Sequence, residues 1–223
     1  MVKQRWFLAA AAIFLGAAAA RADTDSQAWL LLTATGKFAP RVRWYAEFQP
    51  RYSFVDQSAF ERVLVRGAAG WQATPKWSVW LGLAETPLHR PVQRGEVRWF
   101  QQFLYENKTG NTRVTGRTRL EQRSIAGTSG VSHRVRTQWR VARPVSVPGG
   151  LQAVAYDEAF WNLNGVTGGP EAGFDRNRTF LGVTRPIAKG IRAECGWLRE
   201  DAFRRGGGGR RIDALVTQFH FDL

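Results

Sequence analysis

Three histidines, a few serines and one cysteine are the side chains of this chain best suited to covalent or acid–base chemistry. A hydrolase built from them needs a serine nucleophile, a histidine base and a third group to orient the base. Ser132 and His133 are neighbours, but adjacent residues of an extended chain point to opposite faces. His89 falls in a predicted loop, His220 sits where it could face a barrel interior, and Ser124 and Ser129 lie with Ser132 near a predicted rim. No G-x-S-x-G nucleophile turn is present. The expectation is that the protein is not an enzyme, with an envelope-lipid hydrolase as the third-ranked reading. Cys195 alone supports neither an internal disulfide nor a metal cluster, and it shares the apolar side of its segment with Ile191, Ala193 and Trp197. No metal and no cofactor are expected. Gly206–Gly209, flanked by Arg204, Arg205, Arg210 and Arg211, has the composition of a phosphate loop but lacks its Lys-Ser/Thr pair and following helix. It reads as an exposed loop whose arginines could touch lipopolysaccharide phosphates.

Arginine is the dominant polar residue, and its spacing says more than its number. In Pro40–Ser53, Arg41, Arg43, Tyr45, Glu47, Gln49 and Arg51 alternate with Val42, Trp44, Ala46, Phe48 and Tyr52. Arg117, Arg119, Glu121 and Arg123 alternate with Val114, Gly116, Thr118 and Leu120 over Val114–Ile125, and His133–Arg143 repeats the pattern with Arg134, Arg136, Gln138 and Arg140. A period of two is the strand period, so each strand has one apolar, aromatic face and one charged face. In a water-soluble sandwich the charged face meets solvent; in a membrane barrel it lines the lumen while the apolar face meets lipid. Glu47, Glu96, Glu106, Glu121, Glu158 and Glu194 then read as counter-charges for lumenal arginines, since buried charges must be paired.

The N-terminus favours the membrane. Lys3 and Arg5 precede an apolar run from Trp6 to Ala20 and then Ala20-Arg21-Ala22, the pattern of a secretory signal peptide cut before Asp23. An uncleaved N-terminal anchor is the alternative. After Ala22 no stretch approaches the ~20 apolar residues of a spanning helix, so an integral protein must be a closed β-barrel. The formal charge of +14 falls to +11 without Lys3, Arg5 and Arg21. Such a balance can mark nucleic-acid binding, but export and the lack of a recognition motif exclude it. Lys37, Lys76, Lys108 and Lys189 lie in or beside predicted turns, while arginines lie within strands, as suits a planar guanidinium in partly buried networks.

Strands are predicted at Ala28–Thr35, Val42–Ser53, Phe60–Gln72, Trp77–Glu85, Glu96–Asn107, Arg113–Ile125, His133–Val145, Leu151–Leu163, Arg176–Pro186, Ile191–Arg199 and Ile212–Leu223. Short and long connections alternate, which matches the periplasmic turns and extracellular loops of outer-membrane barrels. Eleven strands are counted, but single-chain bacterial barrels have even numbers. The expectation is therefore ten or twelve, with one strand misassigned or the N-terminal segment not a full strand. Ten tryptophans, among them Trp29, fit interfacial belts, with Trp29 placed on the apolar face. Leu215, Thr217, Phe219, Phe221 and Leu223 alternate to the C-terminus, as in barrels whose last strand is read by the assembly machinery.

Four stretches follow in order: Arg98-Trp99-Phe100-Gln101-Gln102, Arg117-Thr118-Arg119-Leu120-Glu121-Gln122-Arg123, Asp157-Glu158-Ala159-Phe160-Trp161-Asn162-Leu163-Asn164 and Arg176-Asn177-Arg178-Thr179-Phe180-Leu181-Gly182. With them the chain resembles the uncharacterised bacterial outer-membrane family called domain of unknown function 2490, over nearly all of its mature length. The resemblance implies an outer-membrane barrel and no assigned activity.

The reading is an all-β chain: a signal peptide at 1–22, then one antiparallel up-and-down transmembrane β-barrel of about 10–12 strands at 23–223. The lumenal charge network is expected to comprise Arg41, Arg43, Glu47, Arg98, Arg117, Arg119, Glu121, Arg123, Arg134, Arg136, Arg140, Glu158, Arg176, Arg178 and Glu194. Lipid-facing or interfacial aromatics are Trp44, Trp71, Trp77, Trp99, Trp139, Trp197, Phe219 and Phe221. A narrow anion-leaning channel and a non-conducting structural or surface-binding barrel are the two leading functions. The expected partners are outer-membrane lipids, lipopolysaccharide and the barrel-assembly machinery, with no nucleic acid.

Overall fold

Alternating apolar and polar residues can satisfy their backbone on both edges only if the sheet closes on itself, and the computed structural model of the chain shows that closure. It describes residues 24–54, 60–87, 94–147, 149–203 and 209–223; the signal segment, His89 and most of the Gly206–Gly209 loop lie outside them. Eleven strands follow in chain order: β1 (Thr24–Ala39), β2 (Val42–Ser53), β3 (Phe60–Gln72), β4 (Trp77–Thr86), β5 (Glu96–Thr109), β6 (Thr112–Ile125), β7 (Ser132–Pro144), β8 (Gln152–Asn162), β9 (Gly173–Ala188), β10 (Ile191–Ala202) and β11 (Arg210–Asp222). No helix occurs among the described residues.

Each strand pairs antiparallel with its sequence neighbour, and β1 closes the barrel against β11. That last pair is parallel, running from Thr24↔Arg211 to Thr35↔Asp222. The expectation of an even count is therefore corrected. An odd number of up-and-down strands leaves the first and last pointing the same way, and a parallel ladder joins such strands as completely as an antiparallel one. Nor is β1 a partial strand, since its ladder with β2 extends from Gln27↔Ser53 to Ala39↔Val42.

One end carries four connections of two to four residues and the seven-residue β7–β8 connection, and the other carries connections of six to ten residues. In the turn between β5 and β6, Gly110 adopts φ +56°, which glycine meets without a Cβ clash. Outward-facing positions carry large apolar groups: Trp71, Trp77, Trp99, Leu81 and Trp139 are each about half exposed. Outward aromatic contacts gather near the two ends. Near the turn end Trp77 packs on Tyr105 with centroids 4.7 Å apart, and Tyr105 on Trp139 at 6.4 Å. Near the loop end Tyr52 meets Phe60 at 5.9 Å, Trp161 meets Phe174 at 4.8 Å and Phe174 meets Phe203 at 5.0 Å.

The interior is not uniformly charged. Trp29, Ala142, Val154, Phe180, Leu198, Ile212, Ala214 and Val216 form one apolar cluster on the inner wall. Phe180 lies over Gly182 and Gly196, which face one another across β9 and β10. A Cβ at either glycine would come within 2.6 Å of the ring. Trp29, expected on the outer face, points inward and is 3 % exposed. Its strand is apolar on both faces, so alternation carried no phase information there.

Candidate functional site

Strand parity delivers charged residues of β2, β3 and β5 to β10 to one enclosed space. In β6, Arg119, Glu121 and Arg123 point inward and are buried; in β7 Arg134 and Arg136 do the same, and in β8 Glu158. Register then chooses partners. Glu121 stands opposite Arg134, and Arg119 opposite Arg136. Glu158 stands opposite Gln138 on one side and Arg178 on the other, and Arg178 faces Glu200.

The result is a closed cycle of ion pairs in the loop-side half of the lumen. Glu121 takes Arg136 at 3.2 Å, Arg136 reaches Glu158 at 3.6 Å and Glu158 takes Arg178 at 3.7 Å. Arg178 binds Glu200 at 2.5 Å, Glu200 takes Arg176 at 2.8 Å and Arg176 binds Asp175 at 2.9 Å. Asp175 takes Arg134 at 3.5 Å, and Arg134 returns to Glu121 at 2.6 Å. Every carboxylate in the cycle holds two arginines and every arginine two carboxylates. Arg117 adds a further contact to Glu158 at 2.8 Å, and Arg119 lies 3.9 Å from Glu121 while donating to Gln102. Neighbouring pairs complete this half: Glu96 with Arg98 and Arg123 at 2.5 and 2.6 Å, and Glu47 with Arg66 at 2.6 Å. Tyr45 also donates to Glu47.

Inward aromatic rings carry the guanidinium planes. Arg119 lies 4.1 Å from the centroid of Phe100, Arg178 4.8 Å from that of Phe160 and Arg51 3.7 Å from that of Trp29. Such contacts are worth roughly 0.5–2 kcal/mol, most where water is excluded. They hold arginines whose charge the carboxylates do not fully match.

Two cavities occupy the rest of the lumen, of about 420 and 490 Å³. The first is lined from every strand, with Thr86 and Glu96 at its loop end and Arg185 and Arg192 at its turn end. The second opens at the turn end and shares with the first the walls formed by Tyr45, Arg113, Arg117, Arg192 and His220. Arginines outnumber carboxylates along both.

The chain is similar to proteins without an assigned activity. The family described as protein of unknown function (DUF2490) matches residues 26–210. The chain belongs to that family. An uncharacterized protein of Methylorubrum extorquens is 33% identical to this DUF2490 chain over 215 residues, covering 93% of each. No solved structure matches.

Within this DUF2490 barrel the inner faces hold Arg43, Glu47, Arg98, Arg117, Arg119, Glu121, Arg123, Arg134, Arg136, Arg140, Glu158, Arg176, Arg178 and Glu194. Arg140 pairs with Glu194 at 2.6 Å, away from the cycle. Arg41 is a correction: it is exposed in the turn before β2, because pairing begins one residue later at Val42. Trp44, Phe219 and Phe221 are half-buried on the outer parity, and Trp71, Trp77, Trp99, Trp139 and Trp197 are exposed there. Ser132 is buried inside while His133 is exposed outside, so the two cannot pair. His220 Nδ1 is 2.8 Å from Thr33 Oγ1. Cys195 stands 3.8 Å from Thr217 Oγ1. Arg210 pairs with Asp25, and Arg211 with Asp201 at 2.7 Å.

Missed by the sequence reading were Asp175, Glu200, Arg66 and the inward rings of Phe100 and Phe160. Parity could have found Glu200, which follows Glu194 on the same face. The same parity puts Phe100 with Arg98 and Phe160 with Glu158, but their hydrophobicity argued for the outside.

Proposed function

We propose that this protein is an integral barrel of a Gram-negative outer membrane whose lumen is a narrow passage for small anions. The membrane part rests on the outward apolar surface and the aromatic contacts near its two ends. Phe60 and Trp71 are eleven residues apart on β3. At ~3.3 Å per residue and a tilt of about 40° that is roughly 28 Å, close to the ~25 Å apolar band of such barrels. The N-terminal signal pattern and the alternating end of β11 fit export and delivery to the assembly machinery. Lipids and lipopolysaccharide would surround the barrel, the latter at the long-loop rim.

The observation that carries the anion reading is the cavity lined by all eleven strands, with arginine exceeding carboxylate along its walls. A cationic lining in a low-dielectric shell concentrates anions and repels cations. The ion selectivity of the refolded protein in planar bilayers tests it. The closed Arg/Glu/Asp cycle favours a second reading, a non-conducting barrel sealed by ion pairs, and absence of conductance would decide for it.

A further inference from the structure

Of the arginines that line the turn-end chamber, Arg117 and Arg119 reach carboxylates at 2.8 and 3.9 Å, but three do not. Arg43, Arg113 and Arg192 have no salt bridge within 4.0 Å among the described residues. Each is the second residue of the strand that follows a short turn: Val42-Arg43 opens β2, Thr112-Arg113 opens β6 and Ile191-Arg192 opens β10. They therefore stand at one level. Strands β2, β6 and β10 divide the closed ring into arcs of four, four and three strands. The three guanidinium groups thus come from three sides of the lumen, and all line the turn-end chamber of about 490 Å³.

A fourth cation joins them. Lys37 lines the same chamber, and it is the direct cross-strand partner of Arg43. Like charges placed opposite one another on adjacent strands are destabilising unless something neutralises them. The chamber also holds Glu106 and Asp222, the latter accepting from Thr35 Oγ1 at 3.2 Å. Arg140 is committed to Glu194 and leaves the balance unchanged.

We infer that this chamber binds a small, multiply charged oxyanion, inorganic phosphate or a polycarboxylate, held between Arg43, Arg113 and Arg192. Guanidinium forks match the geometry of phosphate and carboxylate oxygens. Their convergence from three walls suits an anion with acceptors in several directions better than it suits chloride. The site deepens the anion reading and rests on it only for the sign of the ligand.

The test is calorimetric titration of the refolded mature barrel in detergent with inorganic phosphate and, separately, with citrate. Saturable binding of either is expected, and which of the two binds more tightly assigns the oxyanion class. Arg113→Gln/Arg192→Gln should weaken it by at least about tenfold, since two charge-assisted contacts are lost. Arg113→Lys/Arg192→Lys, which keeps both charges, should retain part of the affinity, and Arg41→Gln in the exposed turn should leave it unchanged. Retained heat-modifiable gel mobility shows that each variant is folded, and Lys37→Gln provides a milder substitution with the same expected direction. No saturable binding of either anion, or equal binding by the double variant, overturns the site. A barrel that conducts anions without this binding keeps the passage and loses the site; one that binds without conducting does the reverse.

Discussion

Arg134 donates from Nε and Nη2 to the same oxygen of Glu121, at 2.9 and 2.6 Å, with both side chains almost sealed from water. The pair is one link of a cycle, and its worth depends on that. Bringing a carboxylate and a guanidinium into a low-dielectric interior costs several kcal/mol per ion, which their attraction offsets only when every lone pair and proton is used. Glu121 meets it in part: Oε2 accepts twice from Arg134, while Oε1 faces the charge of Arg136 at 3.2 Å.

Glu121→Ala or Glu158→Ala should therefore lower barrel stability by about 3–5 kcal/mol, because each strands two or more arginines. Glu85→Ala, exposed near the loop rim with no salt bridge among the described residues, should change it by less than about 1 kcal/mol. Denaturant unfolding of the refolded barrel measures both; equal losses would mean that the cycle is screened by water.

Facing can be read with a lipid-confined thiol label after Cys195→Ser removes the native thiol. Cysteines at Val135, Trp139 and Leu181 should be modified, and cysteines at Arg119 and Glu121 spared. The opposite pattern would turn the sheet inside out.

That alternation was legible from sequence wherever one face was charged, in β2, β6 and β7, and there strand limits and facing agree closely with the structure. It was not legible in β1, where Leu30, Leu31 and Leu32 follow Trp29 without a polar residue to set the phase. It was also silent on who pairs with whom. The Glu121–Arg134 contact depends on register between strands, and the parallel seam on closure between residues nearly two hundred apart, neither of which a local pattern encodes.

The seam has its own test. Leu32 and Phe219 are partners across β1 and β11 on the outer face. In a Cys195→Ser background, Leu32→Cys/Phe219→Cys should crosslink under mild oxidation and survive as a compact species on unheated gels. A ten-strand barrel that excluded β1 would leave these residues apart and give no crosslink.

Export and location follow from the same reading. The mature protein should begin at Asp23 by mass spectrometry, fractionate with outer membranes and migrate faster on unheated than on heated gels. Recovery as a soluble periplasmic monomer without detergent would refute a membrane barrel.

The most direct measurement is the reversal potential of the refolded protein in a planar bilayer under a potassium chloride gradient. An arginine-walled lumen predicts a potential of the sign set by chloride, and Glu158→Gln, which removes a carboxylate from the wall of the cavity lined by all eleven strands, should move it further that way. Cation preference, or a barrel that is folded and inserted yet passes no current, would contradict an anion passage.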